Sequence, residues 1–219
     1  MYLAAANDRP DRADEDVVVV EAPSARWQHF PHSSLSHHGE ACCDVAREWV
    51  LAMDFAQLNG ADLASGPRWL RQKYKWGPTV WPIHWCDAVE EESLDCGAHA
   101  AIAHEAFAAR GLTSFPAQFV QRYSPDAVEQ WRQKWAEGDA SDHWIGDDYI
   151  YHEGVALLMD DGEVKLWDAS AGWWINPRQA GGYGSLLSVR IVTGGQAADG
   201  EGFRWGEHRI KPGIWYDIG

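Results

Sequence analysis

No stretch of this chain approaches 18 consecutive apolar residues, so the sequence predicts no membrane-spanning helix. Positive charge is scarce as well. There are 18 Lys and Arg against 33 Asp and Glu, for a formal net charge of −15. That balance argues against nucleic acid or an anionic membrane surface as a partner. It agrees with a neutral or cationic ligand. Cysteine is sparse, with Cys42, Cys43, Cys86 and Cys96 as the whole complement, too few for a disulfide-stapled scaffold. The N-terminal run MYLAAANDRPDRADED lacks the charged-then-apolar order of a secretory signal. The expectation is therefore a cytoplasmic protein with reduced thiols. Adjacent Cys42 and Cys43 are a poor disulfide pair.

Tryptophan is abundant. The 14 copies include Trp76, Trp81, Trp85, Trp131, Trp135, Trp173 and Trp174. Most of them suit a core or its junctions with loops. Trp81, Trp85, Trp173 and Trp174 flank the segments that carry chemistry and are the candidates for an aromatic substrate cleft.

Along the chain, residues 1–16 read as a mobile acidic leader and 17–219 as one domain. Val17 to Val20 suits a strand, residues 41–58 a helix and 67–75 a short basic helix. The Pro- and Trp-rich stretch WGPTVWPIHWCDAVEEES reads as loop. Residues 96–110 are the clearest helix, with Asp95 as N-cap and Gly111 as terminator. A strand FPAQFVQRY follows, then a helix opened by Ser124 and Pro125 and running to about Gly138. YHEGVALLM and EVKLWDA form a hairpin, LLSVRIVT is another strand, and the last 25 residues suit an edge hairpin. The fold class is α+β.

Cys96 opens its Ala-rich helix, where the positive end of the dipole favours a thiolate. His152 and Asp168 lie on the two arms of the downstream hairpin. Cysteine, histidine and aspartate together supply a nucleophile, its base and the group that orients the base. Loop length decides whether the last two meet. A two-residue Asp161-Gly162 loop puts Asp168 opposite Val155, on the face away from His152. A three-residue loop with Gly162 left-handed puts Asp168 opposite Gly154, diagonal to His152 on the same face. The three-residue loop is the expectation.

The stretch CGAHAAIAHEAFAARGLTSFPAQFVQRY, followed by LWDASAG, resembles the bacterial transglutaminase-like pattern. In that pattern a cysteine opens a helix, an Arg-Gly-Leu segment closes it, and a later strand ends in Asp-Ala-Thr or Asp-Pro-Thr. The likeness covers about residues 96–172, roughly a third of the chain. It implies a papain-like core with the nucleophile helix packed on an antiparallel sheet. Cys96 would be the nucleophile, His152 the base and Asp168 the orienter. It further implies acyl transfer or amide hydrolysis through a thioester, with a peptide, amide or acyl substrate and no cofactor or metal. Glu153 departs from the residue usual after the family's histidine and reads as a solvated strand residue. The oxyanion candidates are the Cys96 N–H, Trp85 and Gln72.

Two other chemistries compete. His84, Cys86, Cys96 and His99 have the form H-x-C…C-x-x-H of a four-ligand zinc site. His29, His32, His37, His38, Cys42 and Cys43 form a second metal candidate. A non-catalytic binding or immunity-type module on the same fold is the third reading.

Overall fold

A computed structural model describes residues 19–20, 23–36, 39–42, 44, 48, 69–109, 111–138, 142–176, 184–193 and 202–218. The leader 1–16, most of the helix expected at 41–58, His37, His38 and Cys43 lie outside the described residues. The elements in chain order are β1 (Val19–Val20), α1 (Trp69–Lys73), β2 (Lys75–Trp76), α2 (Trp85–Ala88), β3 (Ser93–Leu94), α3 (Cys96–Ala109), β4 (Ser114–Arg122) and α4 (Pro125–Glu137). They continue with β5 (Tyr149–Leu158), β6 (Val164–Asp168), β7 (Trp173–Ile175), β8 (Leu186–Ile191), β9 (Phe203–Trp205), β10 (His208–Ile210) and β11 (Tyr216–Asp217). Helices and an antiparallel sheet share one chain, so the α+β class holds.

The main sheet has six strands in the order β11-β8-β4-β5-β6-β7, paired antiparallel throughout. Side chains alternate across it, and each face is covered by a different partner. Val155, Leu157 and Trp167 pack with Ala98, Ile102, Ala106 and Phe107 of α3. Small alanines let that helix lie close to the strands, and apolar residues all round make it a buried helix. Ala156, Leu166 and Val189 turn the other way, toward Phe203, Trp205 and Ile210. These last belong to a separate sheet, β1-β10-β9, in which β1 runs parallel to β10. The C-terminal hairpin expected at an edge is thus a second layer, and only β11 edges the main sheet.

Capping chemistry sets the helix limits. The Asp95 carboxylate accepts from Ala98 N–H at 2.9 Å and opens α3. Gly111 at φ +75° closes it, with Leu112 N–H returning to Phe107 O at 3.0 Å. Ser124 Oγ accepts from Ala127 N–H at the start of α4. The stretch expected as loop between Trp76 and Ser93 contains the short helix α2. Its Trp85 and Ala88 are buried in the core, an anchor stronger than the local prolines are disruptive.

Cys42 and Cys86 form a disulfide. The expectation of reduced thiols is corrected for these two residues. Proximity across the fold brings them together, which neither position shows locally. Among the described residues, no helix is long and apolar enough to cross a membrane.

Candidate active site

The β5–β6 register decides the site. Val155 pairs with Trp167 and Leu158 with Val164, and Met159 N–H reaches Glu163 O at 2.8 Å. Asp160, Asp161 and Gly162 therefore form a three-residue loop, with Gly162 at φ +79°. Asp168 falls opposite Gly154, and its Oδ2 stands 3.0 Å from His152 Nε2. Gly154 is required here. A Cβ on it would come within 2.4 Å of the Trp167 carbonyl oxygen. The missing side chain lets β6 cross close to β5 just where Asp168 must reach.

The DASAG turn holds the carboxylate. Asp168 Oδ1 accepts from Ser170 N–H at 3.0 Å, Ser170 Oγ–H at 2.9 Å and Ala171 N–H at 2.9 Å. Gly172 N–H closes the turn on Asp168 O at 2.8 Å. Ser170 Oγ also lies 3.1 Å from His152 Nε2. One oxygen is thus fixed by the turn while the other faces the imidazole. Burial works against ionisation of Asp168, yet the His152 charge and these donors hold it below the ordinary carboxylate value.

His152 gives its Nε2 edge to Asp168 and hydrogen-bonds the Cys96 thiol with the rest of the ring. Burial disfavours the imidazolium, but Asp168 and an ionised Cys96 outweigh it and raise His152 well above its ordinary value. For Cys96 the sign is opposite to the helix-dipole expectation. Burial pushes the thiol up, Asp95 and Glu153 push the same way, and His152 alone pulls it down. Burial thus outweighs what the N-terminal dipole of α3 offers a thiolate.

That first turn is tightly built. Asp95 accepts from Ala98 N–H through one oxygen and from the Trp81 indole through the other, while its own N–H donates to Thr79 Oγ1 at 2.7 Å. Gly97 faces Ser33, where a Cβ would come within 2.6 Å of the serine side chain. His99 donates from Nδ1 to Asp95 O at 2.8 Å.

A cleft of about 710 Å³ opens over Cys96. Asp95, Glu153 and Tyr151 line its polar side, and Trp76, Trp81, Trp135 and Trp144 its aromatic walls. Trp76, Trp135 and Trp144 stand in contact, with Trp76 and Trp135 4.4 Å apart and Trp135 and Trp144 4.7 Å apart. Of the four tryptophans expected around a cleft, Trp81 lines it. Trp85 is 3% exposed in the apolar core, Trp174 packs on Trp167 at 5.0 Å and Trp173 projects outward, 54% exposed. A second depression of about 720 Å³, between Arg71, Tyr74 and Glu91, reaches Ser170 but not Cys96.

The oxyanion candidates divide similarly. The Gly97, Ala98 and His99 N–H groups are directed to Asp95, which leaves Cys96 N–H as the first-turn donor for a ligand. Trp85 does not face the cleft, and the Gln72 side chain lies outside the described residues.

Glu153 corrects the expectation of a solvated residue. It is 1% exposed and receives Ser33 N–H at 3.0 Å and the Tyr151 hydroxyl on Oε1. Burial raises its carboxyl from 4.5 to about 7. β5 is buried on both faces along this stretch, so the residue has no solvent side to occupy.

The zinc quartet is not assembled. Cys86 is bonded to Cys42, and His84 faces Ser36 at 3.0 Å. Among the described residues, no group of three or more His, Cys, Asp or Glu is placed to hold a metal ion. Of the 29–43 cluster, Cys42 is in the disulfide and the His29 ring lies tilted against Phe30, with centroids 4.2 Å apart. His32 lines the cleft and is kept neutral by burial, with its value lowered to about 4.

No protein-family model matches this chain, and neither the curated proteins nor the solved structures hold a match.

Proposed function

We propose that the protein is a cysteine-dependent acyltransferase or amide hydrolase with a papain- or transglutaminase-like core. Cys96 is the nucleophile, His152 its base and Asp168 the orienter. The observation that carries the reading is the Asp168–His152–Cys96 chain, with Asp168 and His152 buried and the thiol partly exposed, in which one imidazole edge is held by a fixed carboxylate and the ring also bonds the only described free thiol. A satisfied structural histidine needs no cysteine at the mouth of a cleft.

The thiol proton passes to His152 as Cys96 Sγ bonds to the substrate carbonyl carbon. Cys96 N–H donates to the developing oxyanion. His152 then returns the proton to the departing nitrogen, the C–N bond breaks and a thioester remains. Water or an amine, deprotonated by His152, attacks the thioester and frees the thiol. Asp168 keeps the imidazole oriented and favours the charged ring in both halves. Cys96 and His152 titrate as a coupled pair, and the reactive form is the one in which the two groups share a single proton.

The test pairs a chemical readout with turnover on peptide, amide and ester panels. Cys96→Ala and His152→Ala should each abolish turnover with the fold retained. A Cys96 that alkylates with iodoacetamide no faster in wild type than in His152→Ala, at every pH, overturns the proposal.

A further inference from the structure

Among the described residues, Glu153 is a buried carboxyl without a paired cation. Its hydrogen-bond partners are neutral: Ser33, and Tyr151, which is itself bonded to Gln118 Nε2 and Pro31 O. Among the described residues it takes part in no salt bridge, and no Lys or Arg lines the cleft that it faces. A buried carboxylate left in that condition is costly, and an arriving positive charge removes the cost. The tryptophans line the same cleft, and the Lys134 ammonium, 4.9 Å from the Trp76 ring and 5.6 Å from the Trp135 ring, already shows that these aromatic walls hold a cation. Asp95, the other carboxyl on the cleft, is already committed to the α3 cap and Trp81. His32 and His143, which also line the cleft, are the ionisable nitrogens nearby, and burial keeps His32 uncharged.

We propose that Glu153 and the tryptophan walls form a subsite for a cationic group, an alkylammonium or guanidinium, on the substrate that Cys96 attacks. This deepens the acyl-transfer reading and rests on it. The subsite has a second consequence. Glu153 is one of the charges that oppose ionisation of Cys96. A substrate cation seated against it cancels that opposition and favours the thiolate only when substrate is present. The net charge of −15 draws such a ligand toward the molecule.

Charged thiol reagents test this without a known substrate. Two methanethiosulfonates of similar size are compared, one bearing trimethylammonium and one bearing sulfonate. In each, the Cys96 thiolate attacks the sulfenyl sulfur, a mixed disulfide forms and methanesulfinate departs. Rates at Cys96 are read by peptide mass mapping and divided by the rate of each reagent with free cysteine. They are repeated at high salt, which screens the distant charges.

The expected wild-type ratio favours the cation by about tenfold or more at high salt. It should drop several-fold in Glu153→Gln. Because both reagents meet the same thiol, any general change in its reactivity cancels in the ratio. Glu153→Met, a neutral residue of similar reach, serves if the Gln variant does not fold. Equal wild-type rates, or a ratio that survives both substitutions, overturn the subsite while leaving Cys96 as nucleophile. A Cys96 inert to both reagents and to iodoacetamide overturns the nucleophile reading and the subsite together.

Discussion

Asp168 Oδ2 and His152 Nε2 face each other at 3.0 Å across the β5–β6 hairpin, although no backbone ladder bond joins their two residues. The contact depends on a loop of three residues, on the absent side chain of Gly154 and on a turn that holds the second carboxylate oxygen.

Asp168→Asn keeps the turn's acceptor oxygen but not the charge. Turnover should fall by about 10²–10⁴, with Cys96 alkylation shifted to higher pH because His152 loses the charge that raises it. Steady-state kinetics together with a labelling profile would separate this from unfolding.

Gly154→Ala places a methyl group against the Trp167 carbonyl. A cost of about 1–3 kcal/mol is expected in denaturant unfolding. Activity measured well below the unfolding midpoint should fall further than stability does, because the strand shift moves Asp168. Unchanged kinetics in a destabilised variant would mean that the Asp168–His152 distance tolerates the shift.

Asp95→Asn separates stability from reactivity. One amide oxygen can serve Ala98, but the other group then meets the Trp81 N–H as a donor, at about 1–2 kcal/mol. Removing a carboxylate that raises the Cys96 thiol should move alkylation to lower pH. A variant less stable and yet more reactive is the expected result.

The pH dependence of stability has a worked-out sign. Asp168, lowered in the fold, contributes above its unfolded value near 3.9, and that contribution is lost as pH falls through the lower folded value. His152, raised, contributes below about 6.5 and loses this as pH rises through its folded value. Glu153 binds its proton more tightly when folded, so its contribution is lost between 4.5 and about 7. That last loss is on the order of 3 kcal/mol. His32, lowered to about 4, works the other way and gains stability as pH rises from about 4 to 6.5. In urea titrations Glu153→Gln should therefore gain stability relative to wild type as pH rises toward neutrality.

Reduction of Cys42–Cys86, which lie 44 positions apart, should cost about 3–4 kcal/mol. Thermal melts with and without a thiol reductant would measure it.

Local chemistry made several features legible in the sequence. Asp95 before an Ala-rich run marked the start of α3, Ser124-Pro125 marked α4, and the Asp-Asp-Gly loop set the register that carries Asp168. These signals act over a few residues. The cleft was not legible, because its walls come from Trp76, Trp135 and Trp144 on three separate segments. Glu153 was misread since its burial comes from Ser33, far away along the chain. The partnership of Cys42 with Cys86 has the same cause. Glycine at 97 and 154 carried the one trace of these long-range approaches.

The contact between Gly97 and Ser33 bears on how much of the chain the proposed chemistry requires. A shortened protein opening at Trp69 would retain Cys96, His152 and Asp168 in full. It would nonetheless lack the backbone N–H at Ser33 and the carbonyl at Pro31 that steady Glu153 and Tyr151, and water would fill the place where a ligand is selected. Such a fragment would keep the reagents of catalysis and lose the means of choosing what they act on.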